Sequence, residues 1–149
     1  MSYTLDANLL LYASDEASPL HDRALSLVRR VAEGPDIAYL FWPTVMAYLR
    51  IATHPVIFSR PLSPEVAMAN LENLLSLPHV RSPGEQERFW GLLREIERDA
   101  DARGNLVPDA HLVALMQENG VKTIWTRDRD YRRFRHIDVR DPFEIPDEG

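Results

Sequence analysis

Short apolar runs of strand length alternate with longer amphipathic stretches along the whole chain, and that alternation leaves few architectures open. A brief apolar run followed by a helical repeat, several times over, is the pattern of a sheet that is mostly parallel and covered by helices on both faces. The runs are Ser2-Tyr3-Thr4-Leu5, a short one from His79 to Ser82, Val121-Lys122-Thr123-Ile124-Trp125-Thr126, and His136 to Val139. Helices are predicted behind the first run from Ala7, over His21 to Ala32 (stopped by Gly34-Pro35), and over Pro43 to Thr53. Ser63-Pro64-Glu65 opens another, because Ser accepts from free backbone amides and Pro at the first helical position loses no bond. It runs to about Leu77. Gly84 to Ala102 is predicted as a long helix with Phe89, Leu92, Leu93 and Ile96 inward, and Val107 to Asn119 as the next, ended by Gly120 in a left-handed cap. A helical turn follows near Tyr131 to Phe134. The expected fold is a three-layer α/β/α arrangement around a short, mainly parallel sheet of four or five strands. With no repeat, low-complexity tract or Gly/Ser linker, residues 1–149 are expected to form a single domain.

Composition narrows the chemistry. There is no cysteine, which removes disulfides, thiolate metal sites and a cysteine nucleophile together. No stretch approaches the roughly twenty apolar residues that cross a bilayer, and no basic start with an apolar run marks a secretory signal. A cytoplasmic protein without membrane association is expected. The net charge of −6 opposes nucleic-acid binding by bulk electrostatics, but its distribution is uneven. Arg127, Arg129, Arg132, Arg133 and Arg135 cluster with His136 around Asp128, where a polyanion such as RNA can approach, Arg132 and Arg133 being candidates to contact it. The alternative is that these arginines pair with Asp130, Asp138 and Asp141.

Three aspartates stand where such a fold brings distant chain together. Asp6 and Asp128 follow apolar runs, so both fall in the crevice at the carboxyl ends of strands where open α/β sheets bind ligands. Asp109 belongs to the stripe defined by Leu106, Leu112, Val113 and Met116, a position where an isolated carboxylate is costly. Arg103 is six residues back and Lys122 lies beyond the helix end, so neither can pair with it. A metal ion shared by Asp6, Asp109 and Asp128 resolves the conflict; the alternative is that Asp109 caps a helix starting after Pro108. Asn8 either binds a ligand or carboxylate through its amide or caps the first helix. Thr126 either donates its hydroxyl to a carboxylate or simply finishes a strand. Arg50, expected at the cleft rim, either meets a phosphate or an acid. His54, His79 and His111 show no zinc spacing, and no Gly-x-Ser-x-Gly elbow is present. Trp42, Trp90 and Trp125 are expected in the core, with Trp42 also a candidate for base stacking.

Taken together, Leu5-Asp6-Ala7-Asn8-Leu9-Leu10, Gly104-Asn105-Leu106-Val107-Pro108-Asp109-Ala110-His111 and Thr126-Arg127-Asp128-Arg129-Asp130-Tyr131 resemble the PIN domain, and within it the VapC-type toxins of toxin–antitoxin pairs. Leu49-Arg50-Ile51-Ala52-Thr53-His54-Pro55 and Asp138-Val139-Arg140-Asp141-Pro142 are similar to one branch of that family. The resemblance implies a Mg²⁺- or Mn²⁺-dependent endoribonuclease, usually a homodimer, silenced by a cognate VapB-like antitoxin. By position, Asp6, Asp109 and Asp128 would be the acidic metal ligands and Asp130 a fourth catalytic acid. The family commonly has a glutamate where this chain has Ala47, which bears on the number of metals or on activity itself. Two alternatives remain: a nuclease acting on DNA, since nothing visible reads the 2′-hydroxyl, and a catalytically weak PIN domain that binds RNA or a partner.

Overall fold

The computed structural model describes residues 1–144. Its elements are β1 (Ser2–Leu5), α1 (Ala7–Ser14), α2 (His21–Glu33), β2 (Ile37–Tyr39), α3 (Trp42–Ala52), α4 (Pro64–Leu75), β3 (Val80–Arg81), α5 (Phe89–Ala100), α6 (Leu106–Glu118), β4 (Thr123–Trp125) and β5 (Asp138–Arg140), with a 3₁₀ turn over Arg129–Arg133. The strands form one five-stranded sheet in the order β3-β2-β1-β4-β5. Every neighbouring pair is parallel, with Leu5 opposite Trp125 where β1 meets β4.

Alternation along the strands sends side chains to two separate cores. Ala38 and Leu40 join Leu9, Leu10 and Leu11 of α1, Leu27 and Val31 of α2, Tyr48 of α3 and Leu71 and Leu74 of α4. Tyr39, Phe41 and Ile124 join Ile96 of α5 and Leu112, Val113, Leu115 and Met116 of α6. The helices thus cover both faces, giving the three-layer α/β/α arrangement. Each of these large side chains stabilises the fold by about 1.5–3 kcal/mol on leaving water. Tyr48 adds a polar tie: its hydroxyl is 2.7 Å from Ser14 Oγ of α1 and accepts from Asn70 Nδ2 of α4 at 3.1 Å. No helix among the described residues is long and apolar enough to cross a membrane.

Several expectations are corrected. Strand β2 has no counterpart among the four runs read from the sequence. The expected helix from Gly84 starts only at Phe89. Residues 84–88 are tied to α6 instead: the Gln86 amide donates to Glu118 Oε1 at 2.8 Å, Arg88 donates to the Glu118 carbonyl at 3.0 Å, and Glu85 meets His111 at 2.7 Å. Helix α4 ends at Leu75, although Ser63 does cap it by accepting from the Val66 amide at 3.2 Å. The tryptophans are not all interior. Trp125 packs against the core, whereas Trp42 is 44% and Trp90 67% exposed.

Candidate metal centre and active site

From β1 the chain continues to β2 and β3 on one side of the sheet, whereas β4 and β5 lie on the other. The carboxyl ends of β1 and β4 therefore flank a topological switch point, where helices depart in diverging directions and leave a crevice. Asp6 is the first residue after β1 and the N-cap of α1, and its amide donates to the Trp125 carbonyl at 3.0 Å. Its side chain closes no capping bond. It accepts instead from Thr126 Oγ1 at 2.8 Å, and the same Oγ1 accepts from the Asp128 amide at 2.9 Å. Asp128 in turn caps the 3₁₀ turn, its Oδ1 accepting from the Asp130 amide at 2.9 Å. A buried threonine thus fastens the first carboxylate to the segment carrying two others.

Asp109 arrives from the first turn of α6, a helix whose Ala110, Leu112, Val113, Ala114, Leu115 and Met116 are all buried. One carboxylate oxygen each from Asp109, Asp128 and Asp130 lies within 4.8 Å of the others. This compact trio differs from the sequence-derived set: Asp130 is in it, and Asp6 stands beside it, held by Thr126. Burial first, then the charges of Asp128, Asp6 and Asp130, push Asp109 up to about 6, against a lowering by hydrogen bonding from Tyr131. Asp6 is also raised, chiefly by burial and further by Asp128, while Thr126 and the amides of Asn8 and Ala7 pull it back. Tyr131 is buried and shifted upward, by burial first and then by Asp6 and Asp109, so it remains a protonated donor. Sequence reasoning assigned Tyr131 no role. Its available signal was the Tyr131 and Phe134 pair, three residues apart in an otherwise arginine-rich run, which turns inward as one face of the 3₁₀ turn.

No ion pair compensates these four acids among the described residues. Arg103 is bound to Asp101 at 2.8 Å. Three of the five histidines are engaged elsewhere: His54 Nδ1 with the Val56 amide at 3.1 Å, His79 with the Val31 carbonyl at 2.7 Å, His111 with Glu85. The arrangement is an all-oxygen donor set short of positive charge, which is what a hard divalent cation requires.

The remaining candidates are dispersed. Asn8 is exposed within α1 and does not cap it, since Asp6 is the cap. Arg50 is exposed in the last turn of α3 and makes no ion pair among the described residues. In the basic segment, Arg127 pairs with Asp141 at 3.5 Å and Arg129 approaches Glu144 at 4.0 Å. Arg132 and Arg133 are exposed and closed into no ion pair among the described residues, although Arg133 lies near enough to Asp101 to lower its pKa.

Residues 3–137 match the sequence profile of the PIN domain. The chain is 51% identical over 143 residues to Ribonuclease VapC48 of Mycobacterium tuberculosis, covering 96% of this chain and 99% of that protein. It is 31% identical over 140 residues to VapC ribonuclease Mb2897 of Mycobacterium bovis, covering 94% and 95%. Among solved structures, the fold is similar to Mycobacterium tuberculosis VapC20, described as a sarcin-ricin loop cleaving toxin, with a TM-score of 0.67 at 15% identity over 93% of this chain and 99% of that one. FitAcB from Neisseria gonorrhoeae gives a TM-score of 0.68 at 19% identity, covering 96% and 99%. With carboxylates at the switch point, the α/β/α layers and whole-length relatives in agreement, the chain belongs to the PIN-domain family, among its VapC ribonucleases.

Proposed function

We propose that this protein is a divalent-metal-dependent endoribonuclease, the toxin of a VapBC-like pair, which hydrolyses phosphodiester bonds in RNA at the acidic crevice between β1 and β4. The observation that carries the reading is the trio of carboxylate oxygens from Asp109, Asp128 and Asp130 within 4.8 Å, beside Asp6 and with no cation paired to them among the described residues. The donor set fits Mg²⁺, with Mn²⁺ as a substitute: Asp109, Asp128 and Asp130 would hold the ion, with Asp6 close by. When bound, such an ion lowers the pKa of water and neutralises phosphate oxygens.

The chain's own residues do the positioning. Thr126 fixes the Asp6 carboxylate and the Asp128 backbone with one hydroxyl. Tyr131 donates toward Asp109. Exposed Arg132 and Arg133 draw the phosphate backbone toward the acids without neutralising them, and Asn8, exposed two residues beyond Asp6, contributes an uncharged amide at the mouth. The relatives named as VapC ribonucleases support RNA as substrate. A solved VapBC2 from Rickettsia felis, bound to a promoter DNA fragment, supports an antitoxin partner, with which this cytoplasmic toxin would be silent. A homodimer is the assembly we assign.

The test is cleavage of matched RNA and DNA hairpins with Mn²⁺ or EDTA, by wild type and Asp128→Asn. Cutting confined to RNA, requiring Mn²⁺ and lost in the variant is the expected result. Turnover in EDTA, or equal cutting of DNA, overturns the reading; Mn²⁺ binding without turnover leaves a binding module, the outcome that Ala47 would explain.

A further inference from the structure

A second concave site lies away from the carboxylates. A cavity of about 600 Å³ opens between α2 and the central strands β1 and β4 with the segment after β5, and none of Asp6, Asp109, Asp128 or Asp130 lines it. Its volume is that of a small-molecule site. The lining contradicts the net charge of −6: Arg23, Arg29, Arg30 and Arg140 face only Glu33 and Asp36.

The four guanidinium groups do not play one role. Arg140 lies over the Trp125 ring, 5.8 Å from its centroid, and is bound to Asp138 at 2.6 Å. Arg23 lies over the Phe143 ring at 5.5 Å and donates to the Phe143 carbonyl at 2.8 Å. These two are used in building the walls. Arg29 and Arg30 are exposed on α2 and enter no ion pair among the described residues. A cation in the last turn of a helix is expected from the helix dipole, which accounts for Arg30 alone. It accounts neither for Arg29 nor for the aromatic lining of Tyr3, Trp125 and Phe143, each only partly buried.

Planar walls beside two uncommitted guanidinium groups suit a ligand that is flat at one end and doubly anionic at the other. Aromatic and guanidinium planes stack on bases whatever their identity, and a guanidinium binds phosphate through two parallel hydrogen bonds. We propose that this cavity binds a phosphorylated nucleoside, its base against Tyr3 and the guanidinium planes of Arg140 and Arg23 that lie over Trp125 and Phe143, with its phosphate on Arg29 and Arg30. The ligand is either a free nucleotide or the phosphorylated end of an RNA strand. An acidic peptide would use the charge but not the rings.

Calorimetric titration of the full chain in EDTA, which removes any metal bridge to the carboxylates, tests this without turnover. The probes are adenosine 5′-monophosphate, adenosine, inorganic phosphate, and a short oligoribonucleotide with and without a 5′-phosphate. The nucleotide should bind at least about tenfold more tightly than adenosine or phosphate, and the double variant Arg29→Ala with Arg30→Ala should weaken it by about tenfold or more. That variant should keep the wild-type melting temperature, because both side chains are exposed. Binding of the phosphorylated oligonucleotide but not the mononucleotide assigns the site to strand ends; the converse assigns it to free nucleotides. The proposal is overturned if inorganic phosphate binds as tightly as the nucleotide, if the double variant binds it normally, or if a peptide of residues 145–149 binds and the nucleotide does not.

Discussion

Replacing Asp109 by Asn should stabilise the metal-free protein while abolishing metal binding, and the size of the effect follows from where the carboxylate sits. Its pKa rises from an ordinary 3.8 to about 6. For an acid raised in the folded state the sign is as follows: between these values the folded protein holds a proton the unfolded chain has released, so stability falls as pH rises through the window. Below about 4 the penalty is absent, and above about 6 it is complete. About two pKa units correspond to at most about 3 kcal/mol. Asp109 is only half-buried, so solvent screening reduces this to about 1–1.5 kcal/mol. For a chain of this length that is a rise of about 2–6 °C in Tm. Thermal unfolding in EDTA at pH 4, 5, 6, 7 and 8 should show Asp109→Asn melting above wild type at neutral pH, with the gap closing toward pH 4. Millimolar Mn²⁺ should then reverse the order. A variant no more stable than wild type at pH 7.5 in EDTA, or a gap independent of pH, refutes the view that Asp109 is an uncompensated acid.

Mn²⁺ should raise the wild-type Tm, because an ion that binds only the folded form stabilises it by mass action; in Asp6→Ala with Asp128→Ala the same scan should show no increment. Thr126→Val retains the shape but leaves the Asp128 amide without its acceptor and Asp6 without its hydroxyl donor. Urea unfolding should register a loss of about 1–3 kcal/mol, and calorimetry a fall of about 10–100-fold in Mn²⁺ affinity. Arg132→Ala with Arg133→Ala should weaken RNA binding and flatten the dependence of log K on log salt by about 1.5–2, with Mn²⁺ affinity unchanged. An unaltered salt slope would instead move the RNA path toward Arg50.

Much of this was legible in the sequence because parallel-sheet logic converts a strand end into a position in space. Asp6 and Asp128 each follow a run, and the switch point between β1 and β4 receives both. Asp109 was legible because a carboxylate on an apolar stripe needs a reason to be there. Asp130 was harder to place: joining the trio depends on the Asp128 side chain accepting from the Asp130 amide and starting a 3₁₀ turn, a local bond that periodicity does not report. Strand β2 escaped because it is three residues long and apolar toward both cores, so it shows no alternation. The late start of α5 escaped because Glu85, Gln86 and Arg88 find partners on α6, and tertiary bonds outweighed the helical pattern. Trp90 adjoins Phe89 but falls off the inward stripe. The preference of large aromatics for interiors misplaced it; the helical spacing itself pointed outward.

The Thr126 hydroxyl links the sixth residue of the chain to one 120 positions later. Synthesis therefore delivers the site last. A ribosomal product that stops before Thr126 has Asp6 and Asp109 but neither the hydroxyl that holds the first nor Asp128 and Asp130. A proteolytic cut in the turn after β4 separates the same groups again. On the proposed reading, copies that stop before Thr126 carry no assembled carboxylate cluster, and activity waits for the segment that follows β4.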